Sequence, residues 1–340
     1  MNKRIEIISG ARLHITLIDM NGSVSQRVDG GLGIVLEHPR INLSAGKRND
    51  NEINLVYAKE NLSENNELLE GVSRTLKKLQ KTYSLGGVNV SFKELIPVHA
   101  GFGSKTQILL SSSYAFLKLY GYEFNNRELG KLIGRGGTSG IGIEAFNNGG
   151  LIVDCGHNFN DKKKEFNPSS KSTNISPPPL VGQYQFPDWP VLIVTPKKGI
   201  KIHGMLEKKL FDKVCPIPIS DVEKCAYVAM MMTIPSVIEE NFNIFTKSIE
   251  IFQTLRWKKF EIESQSLIVR KTMDFLSEIG LSGIGMSSWG ATVFAFGNPL
   301  KEAPDLIEKK VDKFLKKNGG GSFFITKIRN KGASINYFNY

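Results

Sequence analysis

From Pro97 to Gln107 the chain reads Pro-Val-His-Ala-Gly-Phe-Gly-Ser-Lys-Thr-Gln, and Ile108, Leu109, Ser112, Ala115, Phe116 and Leu119 then recur at helical spacing. A small-residue turn that runs straight into a helix burying one face is a place where chemistry could sit. Gly101 and Gly103 let the backbone approach a ligand closely. The free N–H groups and positive dipole end over Ser104, Lys105, Thr106 and Gln107 would face an anion, and a phosphate fits there. The same residues also support a purely structural reading, with Ser104 as N-cap and Gln107 completing a capping box. Lys105 tilts the choice, because a cation in the first turn opposes the helix dipole unless something negative is shared with it. The stretch is not a Walker P-loop, since no glycine directly precedes the lysine. Nor is it a dinucleotide fingerprint, since Thr106 stands where a third glycine is needed.

Other residues with suitable chemistry lie on elements that must bring them to this turn. Residues 3–19 alternate like a strand, with Ser9-Gly10 offering a turn between two halves. Arg12, His14 and Thr16 share the face opposite Leu13, Ile15 and Leu17. After the turn Asp19-Met20-Asn21-Gly22 comes Arg27-Val28-Asp29-Gly30-Gly31-Leu32-Gly33, a glycine-rich turn. Arg27 and Asp29 have the ingredients for a phosphate or magnesium contact, and also for an ordinary salt-bridged hairpin. The densest glycine cluster spans 134–142, where Arg135 could clamp a phosphate and Thr138 or Ser139 could cap the next helix. A third glycine-rich turn spans 280–290. His157, beside a strand end, reads as structural.

The surrounding periodicities predict strands over 41–45, 53–57, 87–92 and 149–154, with helices over 66–81 and 128–133. A polar, proline-bearing stretch over 158–190 separates these from a strand at 191–195, helices at about 203–211, 220–233, 241–257 and 264–279, a strand at 291–296, a helix at 304–317 and a closing strand at 323–328. The order suits an α+β protein in two domains, 1–185 and 186–340. Met230, Met231 and Met232 read as core packing.

A net charge of +11 suits a polyanionic partner, either a phosphorylated small molecule or nucleic acid. No stripe of aromatics interleaved with basic residues favours nucleic acid. Lys162-Lys163-Lys164 and Lys316-Lys317 read as ordinary lysine-rich surface. Cys155, Cys215 and Cys225 are odd in number and widely spaced, so they suit buried thiols better than a disulfide framework or a metal site. The N-terminus lacks a signal-peptide h-region, and no window approaches the roughly 18 apolar residues of a membrane span, so a soluble cytoplasmic protein is expected.

The order of the glycine-rich turns, with a Gly-x-Gly-Ser helix cap in the middle and Gly-x-Gly-x-Ser-Ser-x-Gly late in the chain, resembles the GHMP kinase superfamily of sugar, homoserine and mevalonate kinases. Within it the chain is most similar to the β-ribofuranosylaminobenzene 5'-phosphate synthase family, archaeal enzymes of methanopterin-type cofactor synthesis. The residues that carry this are 12–22, 27–33, 134–146 with Gly149-Gly150, Gly204-Met205-Leu206-Glu207 with Phe211 and Pro216, and Ser287-Ser288-Trp289-Gly290.

The resemblance implies a two-domain GHMP-kinase-like fold, an N-terminal ribosomal-protein-like α+β domain followed by a ferredoxin-like α+β domain. It implies a decarboxylating pentosyltransferase that joins phosphoribosyl pyrophosphate to 4-hydroxybenzoate or 4-aminobenzoate, with Mg2+ as cofactor, a homodimer and no nucleic-acid or membrane partner. Arg27, Gly101, Gly103, Ser104, Lys105, Thr106 and Arg135 would then bind phosphate, His14, Asp19, Asp29 and Lys105 would be catalytic, and Ser104 and Asp29 would hold metal. Two departures from the kinases bear on this. Ser139-Gly140-Ile141-Gly142 puts glycine where mevalonate-type kinases carry their catalytic aspartate, and Gly103-Ser104-Lys105-Thr106 replaces their Gly-Ser-Ser-Ala. Losing a carboxylate and gaining a lysine fits a site that holds a pyrophosphate leaving group. The alternative is an ATP-dependent small-molecule kinase of the same superfamily. Ala291, where many members have proline, concerns packing.

Overall fold

Lys3–Asp19 (β1) and Arg27–Lys47 (β2) form a long antiparallel hairpin on which the rest of the first half is built; burial alternates over 3–8 and 41–47, where the two pair, and is continuous over 28–36. The computed structural model describes residues 3–57, 66–159, 163–169, 171–172, 174–202 and 204–339. No turn forms at Ser9-Gly10. Instead β1 runs through with register shifts between Gly10 and Arg12 and between His14 and Thr16. Gly10 is needed because a Cβ there would lie 2.1 Å from the Leu36 carbonyl oxygen. Bulges re-aim the side chains around them, and the second one turns Leu17 toward the same cavity as Arg12 and His14. The expected glycine-rich turn at 27–33 is likewise the start of β2, with Asp29 and Gly30 in the left-handed region at φ 70 and 65.

The helix Asn66–Tyr83 buries Leu68, Val72, Leu76 and Leu79 along one stripe and connects Ile53–Tyr57 (β3) to its parallel neighbour Val88–Glu94 (β4). Leu151–Asp154 (β5), His157–Asn158 (β6) and Leu180–Tyr184 (β7) extend the first half of β2. A second, four-stranded sheet is formed by Val191–Pro196 (β8), Ser282–Met286 (β9), Val293–Phe296 (β10) and Gly321–Thr326 (β11). Its antiparallel order, β11-β8-β10-β9, is that of a ferredoxin-like unit. The final strand, Ser334–Asn339 (β12), returns to pair with β1, so the first sheet has eight strands among the described residues. One hydrophobic cluster runs through both sheets, from Ile5 and Leu43 to Phe245 and Phe296.

The helix Ser104–Leu119 was expected to bury one face, but it is buried on nearly every side. It packs on β1 and β2 and is covered by the helices Asn66–Tyr83 and Ile141–Asn147. The predicted helix over 220–233 is interrupted by a π-helical turn, Ala229–Thr233. That wider turn leaves Met230 and Met231 about 60% exposed, so they are not core residues, and only Met232 packs against the core. All three cysteines are free, with Cys225 buried. Among the described residues no helix is long and apolar enough to cross a membrane.

Candidate active site

The helix Ser104–Leu119 starts from Gly103, which is left-handed at φ 73 and supplies no side-chain cap. Ser104 therefore sits in the first turn instead of capping it. Gln107 does not close a capping box: its Oε1 accepts from Ser9 Oγ at 2.6 Å, and its Nε2 donates to the Gly142 carbonyl at 2.6 Å. The N–H groups of Ser104 and Lys105 have no intrahelical acceptor and remain for a ligand. Gly101, at φ 90, leaves no room for a Cβ, which would lie 2.2 Å from the Ser287 carbonyl oxygen. Ser287 Oγ donates to the Gly101 carbonyl at 2.8 Å and accepts from the His14 N–H at 3.0 Å. The third glycine-rich turn is thus a brace that holds the loop against β1.

A cavity of about 380 Å³ opens beside this loop. Arg12, Lys105 and Arg135 line it together with Phe211, Trp289, Phe102 and Leu17. Arg12 donates to the Gly101 carbonyl, and Arg135 Nε donates to Thr106 Oγ1 at 2.9 Å, so both guanidinium groups are held at the loop. Burial, followed by the nearby Arg135 charge, lowers the Arg12 guanidinium to about 10. Burial also lowers Arg135, and burial with Arg135 lowers the Lys105 ammonium. No ion pair occupies Lys105 among the described residues. Three cations whose charge is disfavoured by burial, two of them also by Arg135, form a site that an anion would relieve.

Three other groups reach the cavity. His14 is buried, and its Nδ1 has no hydrogen-bond partner. Burial, with Arg12 and Lys258 nearby, holds its pKa well below the usual value, so the ring is neutral and a poor proton acceptor. Glu261 is buried and accepts from Lys258 Nζ at 2.6 Å, which also donates to the Met286 carbonyl at 2.7 Å. Glu207, on the helix Gly204–Val214, is half-buried, and burial pushes its carboxyl up to about 7 against the opposing pull of Arg135.

Of the residues singled out in the sequence, His14, Gly101, Gly103, Ser104, Lys105 and Arg135 line one cavity. Thr106 is turned inward, with its hydroxyl on Arg135 and its methyl against Gly142. Three candidates lie elsewhere. Arg27 spends its guanidinium on the carbonyls of Cys155 and Gly156 and on Asn158, so it does not clamp phosphate. Asp19 accepts from the N–H groups of Asn21 and Gly22 and from Ser25, which makes it the anchor of a turn and not a base.

Asp29 is fully buried, with both oxygens on Lys163 Nζ at 2.8 Å and one on His157 Nδ1 at 2.7 Å, and has no face left for metal or substrate. Lys163 is accordingly a core residue and not surface, while Lys162 lies outside the described residues. The residues that periodicity did not single out are Glu207, Phe211, Glu261 and Trp289, all delivered by the second half of the chain. Gly204 to Glu207, Phe211 and Trp289 carry the family resemblance in the sequence without an assigned role.

The GHMP kinases N-terminal domain family model matches residues 70–150. The chain is 37% identical to the beta-ribofuranosylphenol 5'-phosphate synthase of Methanocaldococcus jannaschii, over 96% of this chain and 98% of that protein. It is 36% identical to the enzyme of the same name from Archaeoglobus fulgidus, over 96% and 97%. Among solved structures it is similar to the mevalonate kinase of Methanococcus jannaschii, with a TM-score of 0.61 and 15% identity over 96% of this chain and 98% of that one. At that identity the likeness shows the fold alone.

Proposed function

The chain belongs to the β-ribofuranosylphenol 5'-phosphate synthase family on a GHMP kinase fold, and from that premise we propose that it joins phosphoribosyl pyrophosphate to 4-hydroxybenzoate, releasing CO2 and pyrophosphate and leaving a C-riboside. It is an enzyme of the pentosyltransferase kind, and we place its reaction in methanopterin-type cofactor synthesis. The relatives' name specifies a phenol, which favours 4-hydroxybenzoate over 4-aminobenzoate as acceptor. The observation that carries the reading is a single cavity with a cationic glycine loop and an aromatic wall, which suits one polyanionic and one aryl substrate. We include the homodimer and the cytoplasmic location expected for this family in the same reading.

The Gly101 to Thr106 loop would cradle the diphosphate on the N–H groups of Ser104 and Lys105, with Lys105, Arg135 and Arg12 meeting the charge that grows as the C1–O bond lengthens. Donors already fixed in place contribute most to such a step, because nothing reorganises as the charge develops. Holding the aryl carbon against C1 of the pentose supplies up to about 7–11 kcal/mol more. Neutral His14, with its free Nδ1, is suited to hydrogen-bonding a substrate and not to removing its proton.

The described residues hold no group of three or more His, Cys, Asp or Glu side chains that could cage a metal. The cavity does fit a magnesium ion that arrives on the diphosphate, since Mg2+ commonly uses one or two carboxylates together with substrate phosphates. Ser104 and Glu67, both at the loop end of the cavity, would hold it there. When bound, Mg2+ neutralises charge on the departing pyrophosphate.

The test is to incubate the enzyme with magnesium, phosphoribosyl pyrophosphate and 4-hydroxybenzoate carrying a labelled carboxyl. Labelled CO2 that appears only with both substrates supports the reading, and ATP turnover on a sugar or isoprenoid alcohol would favour the kinase instead. Gly142 leaves the kinase reading without its catalytic aspartate, and a Cβ there would lie 3.0 Å from the Thr106 methyl. Gly142→Asp is therefore expected to cost at least about 1–3 kcal/mol of stability through overpacking and to confer no ATP-dependent phosphorylation. Thermal melts and an ATP turnover assay on that variant check both parts.

A further inference from the structure

We propose that the cavity-facing side of the helix Gly204–Val214 is the acceptor subsite, in which Phe211 and Trp289 hold the aryl ring and Glu207 is the catalytic base that takes the para-hydroxyl proton. The inference rests on the transferase reading above and adds the part that handles the second substrate. Glu207 and Phe211 are four residues apart, so one helix face presents a carboxylate and an aromatic ring to the same space. The ring is fixed by its neighbours: Phe211 meets Trp257 edge-on at 4.9 Å between centroids and Trp289 at 6.0 Å, and Trp257 meets Trp289 at 5.6 Å.

The other candidate bases are already committed. Glu261 is closed by Lys258, and Glu67 lies at the loop end, where its charge supports Lys105. Neutral His14 lies between cations that oppose its protonation. Glu207 has no hydrogen bond or ion pair among the described residues, and the charged groups facing it are Arg12, Arg135 and Glu261. Burial and Glu261 raise its proton affinity while the two arginines limit the rise, which leaves the carboxylate able both to accept and to return a proton near neutrality.

The reaction consumes no oxidant or reductant. Glu207 takes the para-hydroxyl proton as the ring's electron pair forms the bond from the carboxylate-bearing carbon to C1 of the pentose. The C1–O bond breaks, and its electron pair leaves with pyrophosphate. The resulting cyclohexadienone loses CO2, the electron pair of that carbon–carbon bond restores the aromatic ring, and the phenolic oxygen takes the proton back from Glu207.

A phenol that is already ionised does not need the base. Wild type and Glu207→Gln are therefore compared at pH 8 on 4-hydroxybenzoate and on 3,5-difluoro-4-hydroxybenzoate, with folding followed by circular dichroism. Glu207→Gln is expected to lose about 10²–10³-fold in kcat on 4-hydroxybenzoate and less than about fivefold on the difluoro acceptor. Glu207→Ala with added formate serves as the second variant and is expected to recover activity on 4-hydroxybenzoate. Equal losses on both acceptors, or no loss on either, would overturn the assignment of Glu207 while leaving the transferase reading standing. A wild-type enzyme inactive on 4-hydroxybenzoate would overturn that reading and the inference with it.

Discussion

Replacing Lys105 by alanine is expected to lower turnover about 10²–10³-fold, the effect of removing one fixed donor from a site of developing charge, while leaving the melting temperature unchanged. The side chain is exposed at the cavity mouth, takes no part in an ion pair among the described residues, and stands in the first turn of a helix that it does not help to cap. Its charge is unfavourable for the helix dipole, and burial and Arg135 disfavour it more than Glu67 supports it, so the folded protein gains little from it until an anion arrives. Labelled CO2 release and a thermal melt on the same preparation separate the two effects. Unchanged kinetics would remove Lys105 from the chemistry. A lowered melting temperature with proportionate loss of activity would make it structural.

Replacing Asp29 by alanine is expected to lose about 3–5 kcal/mol of stability, because the Lys163 ammonium would remain buried with no counter-charge. His157 would lose its partner at the same time. The cluster also reaches the cavity rim: the Asn167 carbonyl accepts from Lys163 Nζ at 3.2 Å and from Thr138 Oγ1 at 2.6 Å, so Asp29 helps anchor the segment over Thr138 and Ser169. Urea denaturation measures the loss. A double variant, Asp29→Asn with Lys163→Met, should cost less than Asp29→Ala, since neither charge is then left alone. If Asp29 were a metal ligand or base, activity would vanish while the denaturation midpoint stayed in place.

The parts of this molecule that could be read from residue order are those set by local physics. The glycine loop at 101–106, the amphipathic stripe Leu68, Val72, Leu76 and Leu79, and the alternation of β1 each depend on neighbours a few residues away. Long-range partners were not readable. Arg27 and Asp29 looked like ligands because their own segment is rich in glycine, but what occupies them is Cys155, Gly156, Asn158 and Lys163, more than a hundred residues later. Glycine density itself was ambiguous. At Gly101 and Gly290 it marks backbone packed on backbone beside the cavity, whereas at Gly31 and Gly33 it makes room in a strand for Asp154 and Ile141. Glu207 and Phe211 repeat four apart on a short helix like any surface pair, and only the fold brings that helix opposite the loop.

A crystal structure of the protein soaked with phosphoribosyl pyrophosphate and magnesium would show where the diphosphate sits. The diphosphate is expected on the Ser104 and Lys105 N–H groups, within reach of the Lys105 ammonium and the Arg135 guanidinium. A diphosphate bound elsewhere, with that loop closed off from solvent, would contradict that placement.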